Sequence, residues 1–161
     1  MVNFLGRIKK VLVKELYAWS YPFRRKSCRS KKIVACIFSV GERTEEDAVN
    51  SVKCQTFPVT RIEMIKNITP ISKALDRVFD VASDADYVLL VDADIILYNY
   101  CLDALLRFAR KDVLYSVGEL ADPVIGNIGH VKLLNMTLAK SLGLRYREVL
   151  GSDFDLIKQA E

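Results

Sequence analysis

The feature that most constrains this chain is the run Tyr87-Val88-Leu89-Leu90-Val91, followed at once by Asp92-Ala93-Asp94. Five consecutive residues without a charge suit a strand covered on both faces, since a half-wet strand alternates polar and apolar. Such a strand belongs at the centre of a layered sheet, and in open α/β sheets ligands bind beyond the carboxyl ends of the strands. The two carboxylates therefore emerge at the ligand edge. Their i, i+2 spacing lets both flank one ligand if the chain bends there. Mg²⁺ or Mn²⁺ takes hard oxygen ligands and completes its shell with water and substrate phosphates. One or two carboxylates plus a diphosphate make a sufficient site, and the ion would offset charge building on a leaving diphosphate. The plainer alternative is two acids ending a strand in a solvated turn. Against it, Ile95-Ile96-Leu97 follow, which sets the acids in an apolar surround where uncompensated charge is costly.

The chain on either side alternates strand and helix. Residues 33–38 form an apolar run of strand length, and Ser39-Val40-Gly41-Glu42-Arg43 a polar loop. Thr44 is placed to N-cap a helix whose first turn holds Glu45, Glu46 and Asp47, where acids suit the helix dipole. Ala48, Val49 and Val52 give that helix an apolar face, and Phe57-Pro58 closes it. A second strand covers residues 62–65. Thr69-Pro70 predicts a helix with Pro in the first position, carrying the stripe Ala74, Leu75, Val78, Phe79 and Ala82. Ser83 to Asp86 break it. Leu102, Leu105, Leu106 and Ala109 mark a further helix, and residues 113–117 a further strand. This order predicts a layered α/β sheet with right-handed crossovers, the central strand lying in a covered parallel sheet.

Composition allows a core of one domain: 51% of the 161 residues are hydrophobic and 27% charged. The net charge of +4 hides two unlike parts. Residues 1–32 hold ten Lys/Arg and one acid, a local charge of +9, whereas 33–161 carry 14 Lys/Arg against 19 acids, or −5. Val2, Phe4, Leu5, Ile8, Val11, Leu12, Leu16 and Trp19 recur at helical spacing, with Arg7, Lys9, Lys10 and Lys14 between them. Pro22 then interrupts, and a polybasic link runs to Lys31-Lys32. Residues 1–32 therefore read as a basic amphipathic appendage to a domain at 33–161. It could lie in the headgroup region of an anionic bilayer, or pack on its own domain with its basic face solvated. Nucleic acid is disfavoured, because the aromatics alternate poorly with the charges and no recognition motif follows.

Cys28, Cys36, Cys54 and Cys101 form no CxxC pair, and Cys36 and Cys54 read as core filler, which points to a reducing compartment. No apolar run reaches the roughly 18–20 residues of a membrane-spanning helix, and no secretory signal is evident. The expectation is a cytoplasmic protein with scope for peripheral attachment at the inner face of the membrane.

Taken in order, the motifs resemble a family-2 glycosyltransferase with the GT-A fold, over roughly residues 32–160. The likeness rests on four elements besides the first strand and its loop. Ser51-Val52-Lys53-Cys54-Gln55-Thr56-Phe57-Pro58 is similar to the family's S-x-x-x-Q-T-x-P. Lys73-Ala74-Leu75-Asp76 stands where Lys-Ala-Leu-Asn is common. Asp86 to Asp94 are close to D-Y-I-x-x-x-D-A-D. Gly151-Ser152-Asp153-Phe154-Asp155-Leu156 matches G-E-D-x-D-L, with Ser152 in place of Glu. The resemblance implies a sugar transferred, with inversion, from a nucleotide-diphosphate donor to an acceptor hydroxyl of a glycan or lipid-linked acceptor. It places Asp92 near the nucleotide ribose and Asp94, with Asp92, on the divalent metal. Ser39 and Glu42 of the first loop, and Asn67 at the end of the second strand, approach the base. The family often ends that strand with an acid, whereas Lys66-Asn67 stand here, which leaves the base open. Asp153 is the candidate general base, taking the acceptor proton. Its plain alternative is a helix cap. His130 follows Gly126-Asn127-Ile128-Gly129, read as a glycine-rich connecting segment bordering the acceptor cleft, with a third-ligand role as its alternative.

Two other classes compete. A haloacid-dehalogenase-type phosphatase puts DxD near the start of its domain, usually before Gly-Thr, whereas two βα units precede it here. A sugar nucleotidyltransferase would have a glycine-rich first loop with a basic residue, which Ser39–Arg43 lacks. A non-enzymatic reading is a catalytically incomplete nucleotide-binding domain docked to a membrane or partner.

Overall fold

The computed structural model describes residues 21–28, 30–122, 126–149 and 152–160. The amphipathic pattern of residues 1–20 lies outside them. In chain order the elements are α1 (Tyr21–Cys28), β1 (Ile33–Ser39), α2 (Glu45–Lys53), β2 (Arg61–Lys66), α3 (Ile71–Val81), β3 (Tyr87–Asp92), α4 (Cys101–Phe108), β4 (Tyr115–Asp122), β5 (Gly126–Asn135), α5 (Met136–Ser141) and α6 (Ser152–Gln159).

The sheet order is β2-β1-β3-β5-β4, so the apolar run of β3 occupies the middle. Side chains alternate across a strand, and here both sets are buried. Ile33, Ala35 and Ile37 of β1, with Leu89 and Val91 of β3, face a core shared with Tyr21, Val52, Leu102, Leu105 and Leu106. Val34, Cys36 and Phe38, with Val88 and Leu90, face a second core built on Ala74, Leu75, Val78, Phe79 and Leu156. Burying each Val or Leu of β3 contributes about 1.5–3 kcal/mol, enough to fix a strand that nothing on its surface would hold.

The sheet is mixed, which corrects the parallel arrangement expected. β1 runs parallel to β2 and β3, but β5 runs antiparallel to β3 and to β4. The segment read as a glycine-rich connection around His130 is strand β5, with His130 in register opposite Glu119 on β4. Its glycines and polar residues hide a strand that is held by ladders on both sides. A buried Asn135 ends β5. Its Oδ1 accepts from the Leu138 N–H at the start of α5, and its Nδ2 donates to the carbonyls of Arg110 and Val113.

Two smaller expectations also change. Pro70 is the cap of α3 and not its first residue: its ψ of 170° is extended, and its carbonyl accepts the first helical bond from Lys73 N–H. Pro22 sits in the first turn of α1, where a missing N–H costs no helical bond, and the pattern it was read to interrupt lies outside the described residues. Cys54, read as core, is exposed, because α2 ends at Lys53 and turns it outward; Cys36 is buried.

On the second core face Tyr146 stacks edge-on with Phe79 at 6.0 Å, and its hydroxyl meets that of Tyr115. Arg145 pairs with Asp76, and Arg147 with Asp155, so the segment leading into α6 is fastened to α3 while Leu156 enters the core. Among the described residues, no helix is long and apolar enough to cross a membrane.

Candidate functional site

β1 and β3 end side by side, with Phe38 opposite Asp92. The ladder carries one step past the strand: Ala93 N–H donates to the Phe38 carbonyl at 2.8 Å. The chain then turns, with Ile95 N–H returning to the Asp92 carbonyl at 3.0 Å. Ala93 is buried as its neighbours Asp92 and Asp94 stay exposed. A turn that buries the middle residue leaves the i and i+2 carboxylates on the solvent side. This is the bend that the spacing required.

Thr44 holds the turn from across the site. Predicted as an N-cap, it does precede α2, but its side chain makes no cap bond; Oγ1 donates instead to the Ala93 carbonyl at 2.8 Å. A partner 49 residues away takes the hydroxyl that the local pattern assigned to the helix.

The loop after β1 is organised around Ser39. Its Oγ lies 2.9 Å from Glu42 Oε2 and 2.6 Å from Glu45 Oε2, sharing one proton between them, and accepts from Gly41 N–H. Gly41 has a φ of 101°, open to glycine and strained for other residues. The backbone N–H of Glu42 itself, the Ser39 hydroxyl and the Val40 N–H hold the Glu42 carboxyl below the usual carboxylate range. Lys66, 2.5 Å away, and then Ser39 do the same for Glu45. Asn67 follows with a φ of 55°, which Asn tolerates better than most residues, and its N–H donates to the Ser39 carbonyl at 2.8 Å.

These elements enclose a cavity of about 310 Å³. Ser39, Glu42, Asp92 and Asp94, four of the residues singled out in the sequence, all line it. Asn67 does not, although its neighbours Ile65 and Ile68 do; it braces the rim through the backbone. Asp153 is the second residue of α6, and its side chain lies outside the described residues, as does that of His130. The sequence reading missed the apolar wall of Ile65, Ile68, Ile71 and Ala74, and the Glu45–Lys66 pair. Ile68 and Ile71 could have been noticed, since they flank Thr69-Pro70 and fit neither strand nor helix stripe. The ion pair joins residues 21 apart and left no local signal.

The donor set suits a hard cation completed by a ligand. Two exposed carboxylates share the cavity with Glu42, and among the described residues that line it none is Lys or Arg. Among the described residues no group of three or more His, Cys, Asp or Glu converges as a closed metal cage. A Mg²⁺-type ion needs no such cage, because it keeps water and phosphate oxygens in its shell.

The Q-T-x-P segment holds the far side of the turn. Buried Gln55 donates through Nε2 to the Ser51 and Tyr98 carbonyls and accepts from Leu102 N–H at 2.9 Å. Ser51 Oγ accepts from Leu97 N–H, and Thr56 N–H donates to the Asn99 carbonyl. The residues after Asp94 are thus clamped at Leu97, Tyr98, Asn99 and Leu102.

No protein-family profile matches the chain, and no curated protein does. Among solved structures it is similar to S. aureus TarS, with a TM-score of 0.53 at 15% identity over 80% of this chain. TarS is a family-2-like glycosyltransferase of GT-A type, so the chain has a glycosyltransferase-like fold. The match covers 33% of TarS, so the chain spans about a third of that protein's length.

Proposed function

We propose that this chain is the nucleotide-binding part of an inverting glycosyltransferase, moving a hexosyl or related group from a nucleoside-diphosphate sugar to an acceptor hydroxyl. The observation that carries it is the convergence of Asp92 and Asp94, at the end of the central strand, with Ser39 and Glu42 on one cavity. Asp94, with Asp92, would hold Mn²⁺ or Mg²⁺. When bound, that ion supplies positive charge against the diphosphate leaving group.

The chain's own residues do the rest. The ribose and base lie along the slot between Val40 and the wall of Ile65, Ile68 and Ile71, which offers an apolar face to a flat ring. Glu42, kept ionised by its hydrogen bonds, accepts from a donor on the base or ribose. The Thr44 and Gln55 contacts fix the Asp92–Asp94 turn before ligand arrives, so little ordering is left to the bound state. Asp153 is the residue for the acceptor proton, on the motif at the start of α6. The acceptor itself, a glycan or lipid-linked glycan, is a proposal from the fold alone.

Incubation with a panel of nucleoside-diphosphate sugars and Mn²⁺ tests the reaction class. Release of a nucleoside diphosphate is expected. In a parallel incubation with nucleoside triphosphates and sugar 1-phosphates, release of pyrophosphate would assign the site to a nucleotidyltransferase instead.

A further inference from the structure

A second cavity, of about 320 Å³, runs along another flank of α3, between that helix and residues 146–148. Ile68 lines both this cavity and the one that holds Asp92 and Asp94. Past Ile68 the helix divides the two. Ile71 and Ala74 line the cavity of the acids, whereas Ser72, Lys73 and Asp76 line the second, with Tyr146 and Glu148 opposite.

The end of this cavity at the start of α3 holds donors without acceptors. Pro70 caps the helix with no side-chain bond, and its carbonyl takes the N–H groups of Lys73 and Ala74. The N–H groups of Ile71 and Ser72 find no acceptor among the described residues, the usual lot of a helix's first N–H groups. Ser72 is less usual. Its side chain lines the cavity and is only 4% exposed as a residue, yet its hydroxyl makes no hydrogen bond among the described residues. Buried polar groups in folded chains have partners as a rule, so an idle one that opens on a cavity points to a ligand. The start of a helix also carries positive partial charge.

The charges around this end leave it open. Lys73 meets Glu148 at 3.4 Å, but their side chains are 59% and 63% exposed, and a pair so wet holds weakly. Asp76 is taken up by Arg145 at 2.8 and 2.6 Å. Asp80 is shared by Arg77 at 3.2 Å and Arg145 at 3.4 Å, two turns further along the helix. Two N–H groups, a hydroxyl and an ammonium thus stand on one turn with hydrogens to give. An oxyanion accepts several of them at once, which a neutral ligand with single acceptors does not.

We propose that the start of α3 is an anion site of its own, taking phosphate or a similar oxyanion on the Ile71 and Ser72 N–H groups, the Ser72 hydroxyl and Lys73. It is separate from any diphosphate at Asp94, because α3 stands between the two cavities. Cavities of about 300 Å³ and more take whole small molecules, so the anion has room to arrive as part of one. Nothing in this requires that Asp92 and Asp94 bind a nucleotide.

Backbone amide chemical shifts of the isotope-labelled full chain test the proposal, with inorganic phosphate titrated at constant pH and ionic strength. The shifts should saturate and be largest at Ile71, Ser72 and Lys73. Ser72→Ala, which suits a helix and removes the hydroxyl, should weaken binding by about tenfold, the loss of one hydrogen bond to a charged group. Lys73→Gln should weaken it as well, whereas Lys53→Gln, exposed on α2, should not. A nucleoside diphosphate with Mg²⁺ should leave the bound phosphate in place. Phenyl phosphate identifies the source: tighter binding than inorganic phosphate means an anion carried on a larger molecule, and otherwise the free ion is the ligand. Either keeps the site. Shifts that never saturate, or that spread evenly over exposed lysines, would overturn the proposal. So would a Ser72→Ala chain that binds as wild type does, or phosphate displaced by the nucleotide, which would make this end a part of the other cavity.

Discussion

Thr44 donates its hydroxyl to the carbonyl of Ala93, the residue between the two acids. Thr44→Val keeps the shape and removes the donor. The expected loss is about 1 kcal/mol, the usual size of one hydrogen bond, read in nucleoside-diphosphate affinity more than in thermal stability. Isothermal calorimetry beside a melting curve separates the two, and unchanged affinity would mean that the turn holds its shape without Thr44. Asp153 calls for a different comparison. A general base acts on the acceptor proton, so Asp153→Asn should leave donor binding near wild type and lower transfer by ~10²–10⁴-fold. Asn caps helices about as well as Asp, so a residue that merely caps would be silent in both assays. Residue identity carried much of this into view. Acids at i and i+2 after an apolar strand were legible as a pair, and their facing one ligand depended on a bend between them. That Ala93 is the buried residue, and Thr44 its anchor, depends on a neighbour 49 positions away.

Among the elements, β1, β2, β3, α2, α3 and α4 were readable because each buries a face with its own period. Alternation or continuous apolarity marks the strands, and Ala74, Leu75, Val78 and Phe79 mark α3. β5 was not readable. Gly126, Gly129, His130 and Lys132 spoil its pattern, and its strand character comes from antiparallel ladders to β3 and β4 that no local feature encodes. The end of α2 was legible as a motif but not as a mechanism. Ser51 and Gln55 are tie points for residues 97–102, the segment that follows the acids. Gln55→Leu preserves bulk but leaves the buried Leu102 N–H unpaired, at a cost of about 1–3 kcal/mol, while the Tyr98 carbonyl keeps the Cys101 N–H. Chemical denaturation should show that loss, with metal-dependent ligand affinity falling alongside it. A stability equal to wild type would mean that water replaces the amide.

At the scale of the whole molecule, charge fastens the surface. Lys66 holds Glu45, Arg61 holds Asp84 and Arg147 holds Asp155, each carboxyl drawn below its ordinary range by that partner. A depressed folded-state pKa contributes stability that is complete above the unfolded value and lost as pH falls through the folded one. The melting temperature should therefore hold near neutral pH and fall on acidification below about pH 4, more weakly in high salt. A profile flat to pH 3 would show that these pairs contribute nothing. The fold brings the ends of β1 and β3 together and leaves Asp92 and Asp94 exposed on one cavity, and the functional reading stands on that convergence. Its most direct test is calorimetric titration of nucleoside diphosphates into the full chain, with and without Mn²⁺, for wild type and Asp94→Asn. Mn²⁺ should strengthen binding to the wild-type chain and leave the variant unaffected, with both equally folded. Equal affinities in the two proteins, or no effect of Mn²⁺ on either, would contradict a metal–diphosphate site at the end of the central strand.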